Sequence, residues 1–265
     1  MKITLTDKLI AGSDIDLSSK MLGIIHQPKI RDLINMNIDT NNLTELFSVV
    51  EHTHWKISRD IFVEEVPEKF FLAINTEREL IENGKEKYSL MFVLSILYDV
   101  DIDDINMDID TLNNNIYIYI KNKNVLIDKN NFDLLLDIVL EIFKINKKDL
   151  HKSLNKQDEW IELSGSDREK EMIEFFKQRD RERKEKERLH LSDYINMVVH
   201  IGRYSYEYVL SLTFWQLMNT LNSLQNIEKY KEMLGYTWSY KFDIKNEDNP
   251  HWIKEIKLEQ KTIEI

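Results

Sequence analysis

Acidic and basic residues are interleaved and nearly balanced through residues 166–190, and an aromatic-rich stretch follows directly over residues 191–240. In the charged stretch, Asp180 precedes Lys184 by four residues, the order and spacing that stabilise an exposed helix. Mixed-sign helices of this kind are usually solvent-exposed spacers. The pattern predicts a linker and charged helix over residues 151–190, standing partly in solvent between two bodies.

The second body is predicted to be a small helical module. Apolar residues recur at helical spacing over residues 191–202, and Ser205 is placed to cap a short helix after them. Thr213 with Gln216 three residues later forms a capping-box signature for a longer helix. Gly235 is expected to end that helix.

The first third mixes short strands with helices. Residues 3–6 and 22–26 alternate loosely between apolar and polar side chains, as half-buried strands do. Pro28 and Pro67 each suit the first turn of a helix, where a missing N–H group costs nothing. Residues 88–98 are apolar on nearly every side, which predicts a helix buried all round.

A second group of strands is expected near the middle of the chain. Residues 105–109 alternate apolar and acidic or amide side chains, residues 116–120 are strongly β-prone, and residues 125–127 follow a polar turn. The simplest arrangement is a three-stranded antiparallel meander. Residues 132–145 are then expected to form a helix that packs on it.

Composition supports a mainly helical α+β fold, with only 6 Gly and 3 Pro in 265 residues. The predicted organisation is a mixed domain over residues 1–150, the linker and charged helix, the helical module and a partly ordered tail over residues 241–265. A formal charge of −11 argues against nucleic-acid binding, which requires clustered cations. No apolar run approaches the length of a spanning helix and no signal peptide is visible, so we expect no membrane association.

No group of residues has the spacing of a catalytic, metal or cofactor site. Acidic residues from Asp99 to Asp110 resemble a calcium loop, but Asp104 stands where that motif needs glycine. His52 and His54 might share one side of an extended segment, yet no third zinc ligand accompanies them. We therefore expect no catalytic residues, no metal and no cofactor.

The aromatic residues near the C-terminus admit two interpretations. Most of them suit the core of the small module, whereas some suit anchors for a protein partner, because Trp and Tyr dominate interface hot spots. The candidate partner-binding residues are Tyr204, Tyr206, Trp215, Trp238 and Trp252.

The order of these parts resembles the tail-assembly-chaperone-like proteins of long-tailed phages. The resemblance begins with a His-x-Pro turn at residues 26–30 and continues with the meander and helix of residues 105–145. A charged linker follows. The chain then carries the Tyr-x-x-hydrophobic motif at residues 206–209 and a Thr-hydrophobic-aromatic-Gln-Leu motif at residues 213–217, which opens a long helix.

This resemblance implies a non-catalytic phage protein in the host cytoplasm that binds tape-measure or tail-tube proteins during tail assembly. Other functions stay open at this point. The same surfaces would suit a structural subunit of the virion, in the connector or baseplate, or a phage inhibitor of a host defence protein. An enzyme using the carboxylates of residues 99–110 is a further alternative. Nothing in the sequence fixes an oligomeric state.

Overall fold

A computed structural model describes residues 4–38, 43, 45–60, 66–85, 89–110, 115–150 and 189–237. Most of the predicted linker and charged helix and the predicted tail lie outside these residues. The described residues form helices α1 (Leu5–Ala11), α2 (Ile30–Asn35), α3 (Glu45–Asp60), α4 (Lys69–Glu82), α5 (Leu90–Tyr98), α6 (Phe132–Ile142), α7 (Leu191–Gly202), α8 (Tyr206–Ser211) and α9 (Phe214–Thr237), and strands β1 (Ile15–Leu17), β2 (Gly23–Ile25), β3 (Ile105–Asp110), β4 (Asn115–Ile120) and β5 (Val125–Ile127). The predicted fold class, a mainly helical α+β protein with a small antiparallel meander, is confirmed.

The meander consists of β3, β4 and β5 in that order, all antiparallel. Ile118 is its central residue: it is fully buried, pairs with Met107 on β3 and pairs with Ile127 on β5. Beside the meander, β1 and β2 form a separate two-stranded antiparallel sheet with Ile15 opposite Ile25. The strand predicted over residues 22–26 is thereby confirmed.

The strand predicted over residues 3–6 is wrong from Thr4 onward, because Thr4 caps a helix that begins at Leu5. The Thr4 side chain accepts a hydrogen bond from the backbone N–H of Asp7 at 3.2 Å. The Asp7 carboxylate accepts one in return from the backbone N–H of Thr4 at 2.9 Å. This reciprocal capping box satisfies two backbone donors at the helix start and overrides the loose alternation of the sequence.

Other helix boundaries agree with the sequence in part. Pro28 precedes the first residue of α2 by two positions, and Gly84 follows α4 with φ of +71°. The expected stop at Gly235 is wrong, since α9 continues to Thr237. Gly235 is exposed, and nothing lies within 4 Å of the position of its Cβ. The helix therefore continues through it at the modest cost of the low helix propensity of glycine.

The core joins elements from both ends of the described chain. Helix α5 buries Leu90, Val93, Leu94, Leu97 and Tyr98, and the Tyr98 hydroxyl donates to the Leu22 carbonyl at 2.8 Å. Helix α6 buries a wide face, but its main neighbours are α3, α4 and α9 rather than the meander.

Among the residues described, no helix is long and apolar enough to cross a membrane.

The helices of residues 191–237 rest directly on the elements of residues 5–143. Lys29 and Thr213 form an antiparallel bridge, in which the N–H of Ile30 donates to the Leu212 carbonyl at 2.9 Å. The Gln216 side chain also donates to the Ile10 carbonyl at 2.8 Å. The predicted capping box of Thr213 and Gln216 is present as well, so one polar turn both starts α9 and fastens it to the N-terminal part.

Candidate protein-binding site

Trp215 lies in the core at the junction between α9 and α6. It is only 1% exposed, and its indole N–H donates to the Glu141 carboxylate at 3.3 Å. The Lys144 ammonium lies 4.3 Å from the centre of the indole ring, a cation–π geometry. Trp215 therefore fastens the helical module in this fold and offers no surface to a partner. The candidates Trp238 and Trp252 lie outside the described residues.

The tyrosines behave differently from Trp215. Tyr204, Tyr206 and Tyr208 are 41%, 49% and 49% exposed, and we call them the tyrosine cluster. The rings of Tyr204 and Tyr208 lie 5.2 Å apart, within the range of aromatic pairs. The Tyr206 hydroxyl donates to the Asn196 side chain at 2.8 Å, which fixes its ring over α7. Three large side chains thus contact neighbouring residues while facing solvent.

Gly202 makes the placement of Tyr204 possible. A Cβ added at Gly202 would lie 2.5 Å and 2.6 Å from two carbons of the Tyr204 ring. The ring therefore packs directly on the glycine, at the end of α7, where Arg203 terminates the helix in the left-handed conformation. The sequence signalled the exposed aromatic stretch but not this contact.

A cleft opens beside the tyrosine cluster, between α2 and α8. Its volume is about 580 Å³. That value lies within the range of about 300–1,000 Å³ typical of ligand-binding clefts. We call it the α2–α8 cleft, and its walls are formed by Lys29, Arg31, Asp32, Ser205, Glu207, Tyr208, Leu210 and Ser211.

Charged side chains of both signs line this cleft. Lys29, Arg31, Asp32 and Glu207 are all exposed, and none of them forms an ion pair with another residue that the structure describes. Tyr208 and Leu210 supply the apolar surface of the α8 wall. The cleft therefore combines an exposed aromatic ring with charges that have no ion-pair partner in the described part of the chain, which suits recognition of another molecule by contact.

The acidic stretch of residues 99–110 does not form a loop around a common point. Residues 105–110 are extended in β3, which at about 3.3 Å per residue carries Asp110 some 16 Å beyond Ile105. His52 and His54 lie in α3, two residues apart, so the extended segment expected there is wrong and they point to different sides of the helix. Among the described residues, no three His, Asp or Glu side chains are grouped to hold a metal ion.

Two buried carboxylates lie away from the cleft. Glu77 is 4% exposed and accepts a hydrogen bond from the backbone N–H of Met91 at 3.1 Å, at the start of α5. Burial raises its pKa above the ordinary value of 4.5. Glu51 is instead paired with Lys69 at 2.8 Å, within an ion network that ties α3 to α4. Both carboxylates serve helix packing.

The C-terminal part of the chain matches the model of a known family. Residues 182–257 match the family model described as the YomV second domain, a phage-derived domain. The described part of this match is residues 189–237, which carries α7, α8 and α9 and therefore the whole tyrosine cluster. No curated protein and no solved structure matches the chain. The similarity associates the C-terminal part with phage proteins.

Proposed function

We propose that this chain is a non-catalytic phage protein that binds another protein through the tyrosine cluster and the α2–α8 cleft. The observation that carries the proposal is the half-exposed ring pair of Tyr204 and Tyr208 at the rim of a charged cleft. Tyrosine is enriched in interface hot spots because it buries a large area while losing little side-chain freedom.

The partner that we propose is a tape-measure or tail-tube protein, bound during tail assembly in the host cytoplasm. This step rests on the resemblance to tail-assembly-chaperone-like proteins and is supported by the phage-derived domain matched over residues 182–257. The formal charge of −11 would favour such a role, because like-charged complexes stay apart in solution while the client is held.

Co-expression tests the proposal. A fragment of the tape-measure protein encoded with this chain is produced alone, with the wild-type chain, and with the double variant Tyr204→Ala/Tyr208→Ala. We expect the soluble fraction of the fragment to rise with the wild type and to fall back with the double variant. Ile109→Ala is the matched control, because Ile109 is 67% exposed on β3, outside the cleft.

Two results would contradict this function. If the wild-type chain leaves the solubility of both tape-measure and tail-tube fragments unchanged, the chaperone role is wrong. If mass spectrometry of purified virions finds the chain in fixed proportion to the tail proteins, it is a structural subunit instead. A chaperone is absent from the finished particle.

A further inference from the structure

We propose that the outer edge of β3 binds an extended segment of another protein as a fourth strand of the meander, and that basic residues alternate with apolar ones in that segment. Residues other than those of the tyrosine cluster and the α2–α8 cleft form this edge, so the inference goes beyond the proposed function. It assigns a second binding surface and the chemistry of the segment bound there.

The two edges of the meander differ in how their backbone groups are paired. At the β5 edge, the N–H of Leu126 donates to the Met21 carbonyl at 2.8 Å, and the Leu126 carbonyl accepts from the Asn131 side chain at 2.8 Å. Strand β3 is the other edge, and alternate residues of such a strand direct their N–H and C=O groups away from its neighbour. Within the described chain, no backbone group of residues 106–109 bonds outside the meander.

Strand β3 also has the geometry of a strand that can pair on both sides. It is six residues long and pairs with β4 residue by residue, without a bulge to twist its edge away. It contains neither Pro nor Lys, which often protect an exposed edge. The protection that remains is the charge of Asp108 and Asp110. The open backbone therefore supplies the site, and the charge selects what binds there.

The charge along this segment has a single sign. Residues 99–110 contain six Asp and neither Lys nor Arg. Asp108 is exposed, and its carboxylate accepts a hydrogen bond from the Tyr119 hydroxyl but forms no ion pair with a residue that the structure describes. Directly opposite Asp108 on β4 stands Tyr117, which supplies no charge.

The cations of neighbouring elements lie away from the middle of β3. Lys121 and Lys123 follow the end of β4 that is about 10 Å from Asp108 along the strand, at 3.3 Å per residue. That distance is about one Debye length at 0.1 M salt, beyond which exposed charges are largely screened. Lys129 follows β5, so β4 separates it from β3, and it pairs with Glu68 at 3.8 Å.

This one-signed charge distinguishes between the possible occupants of the edge. A second copy of β3 or any acidic strand would place like charges side by side, which destabilises strand pairing. An uncharged strand gains the backbone hydrogen bonds alone, whereas a basic strand gains opposite-charge pairs in addition. Because residues directly opposite each other share a face, the cations belong opposite Asp108 and the apolar residues opposite Met107.

Titration of the full chain with synthetic peptides of about eight residues, a strand of ordinary length, tests this preference. Val alternates with Lys in the first peptide, with Thr in the second and with Glu in the third. We expect the Lys peptide to bind about threefold or more tighter than the Thr peptide, and the Glu peptide to bind most weakly. Equal affinities of the three peptides would overturn the proposal.

A fourth peptide separates strand pairing from attraction to a chain of formal charge −11. It repeats the Lys peptide with its backbone N–H groups methylated, so it keeps the charge but cannot donate hydrogen bonds to a strand edge. We expect this peptide to lose most of the binding. Binding as tight as that of the unmethylated peptide would overturn the proposal, because charge alone would then account for it.

Amide hydrogen exchange measured by NMR locates the site. The Lys peptide should slow exchange of the outward-facing amides among residues 106–109 by about tenfold or more, because these groups become hydrogen-bonded. Slowing confined to other parts of the chain would overturn the proposal. Slow exchange of all these amides in the free protein would also overturn it, because the chain itself or a second copy would already cover the edge.

Variants of β3 test the role of its charge. Asp108→Asn should weaken binding of the Lys peptide by about two- to fivefold, the value of one cross-strand ion pair. The matched control is Glu79→Gln on α4, an exposed residue at which the net charge changes equally. Asp108→Lys should bind the Glu peptide more tightly than the Lys peptide. Equal loss in the control, or an unchanged order of peptides in Asp108→Lys, would overturn the proposal. Circular dichroism verifies that each variant is folded.

This inference and the proposed function fail independently. If the Lys peptide pairs with β3 while no tail protein is solubilised, the chaperone role is wrong and the second binding surface stands. If the chain solubilises the tape-measure fragment but no peptide protects the β3 amides, the inference is wrong and the chaperone role stands.

Discussion

Replacing Gly202 by Ala is expected to rearrange the tyrosine cluster while leaving the stability of the fold almost unchanged. The added Cβ would lie 2.5 Å from the Tyr204 ring, far inside van der Waals contact, and 3.1 Å from a methyl carbon of Leu224. Tyr204 is 41% exposed, so its ring can rotate into solvent rather than displace the backbone. That rotation removes its contact with Tyr208.

The free-energy terms nearly cancel. Ala in place of Gly stabilises a helix by about 0.5–1 kcal/mol, and the gain at the last residue of α7 is at the lower end of that range. Loss of the ring pair costs about 0.5–1.5 kcal/mol. We therefore expect the free energy of unfolding to fall by roughly 0–1 kcal/mol, the sum of these two terms.

Urea denaturation followed by circular dichroism measures the stability, and NMR of ring-labelled tyrosine measures the environment of Tyr208. Gly235→Ala is the matched control, because nothing lies within 4 Å of its added Cβ and only the helix gain of about 0.5–1 kcal/mol remains. A loss above about 2 kcal/mol in Gly202→Ala, beyond the cost of an aromatic pair, would refute the reasoning. Unchanged Tyr208 ring signals would refute it equally.

Three further variants test the core. Gly23→Ala should lower the free energy of unfolding measured in urea by about 2–4 kcal/mol, because alanine is strained at φ of +62° and its Cβ would lie 2.7 Å from a methyl carbon of Val125. A loss under about 1 kcal/mol would contradict this. Trp215→Phe should cost about 1–3 kcal/mol, part of it coupled to Glu141 in a double-mutant cycle with Glu141→Ala, and zero coupling would exclude the hydrogen bond. Because the raised pKa of Glu77 means that the folded state binds the proton more tightly, the contribution of Glu77 to stability should fall as pH rises above 4.5. The stability of Glu77→Gln should therefore gain on that of the wild type as pH rises above 4.5, and a difference that does not change with pH would refute this.

Local patterns predicted the elements whose causes are local. The meander follows from alternation and a polar turn, and the start of α9 follows from Thr213 and Gln216, whose reciprocal hydrogen bonds form within four residues. The start of α1 carries the same kind of signal in Thr4 and Asp7, against the loose alternation of residues 3–6. Side-chain capping outweighed periodicity there.

The candidate site was only partly predictable. Trp215 is buried whereas Tyr204 is exposed, although the two residues lie only 11 positions apart in one aromatic stretch. Trp215 is buried where it meets Glu141, which lies 74 residues earlier in the chain, and nothing within the aromatic stretch indicates that contact. The α2–α8 cleft likewise joins Lys29 to Tyr208 across most of the chain. No local sequence pattern indicates a contact between residues so far apart in the chain, so the geometry of the site could not be predicted from the sequence.

The hydrogen bond between Gln216 and Ile10 spans 206 residues, and this separation has a consequence for biosynthesis. A ribosome adding about 5–20 residues per second delivers Gln216 roughly 10–40 s after Ile10. Throughout that interval the main chain of residues 28–30 lacks the segment that it pairs with in the finished protein. During synthesis, the hydrogen bonds that join α9 to Ile10 and Pro28 can therefore form only after every other described element has been made.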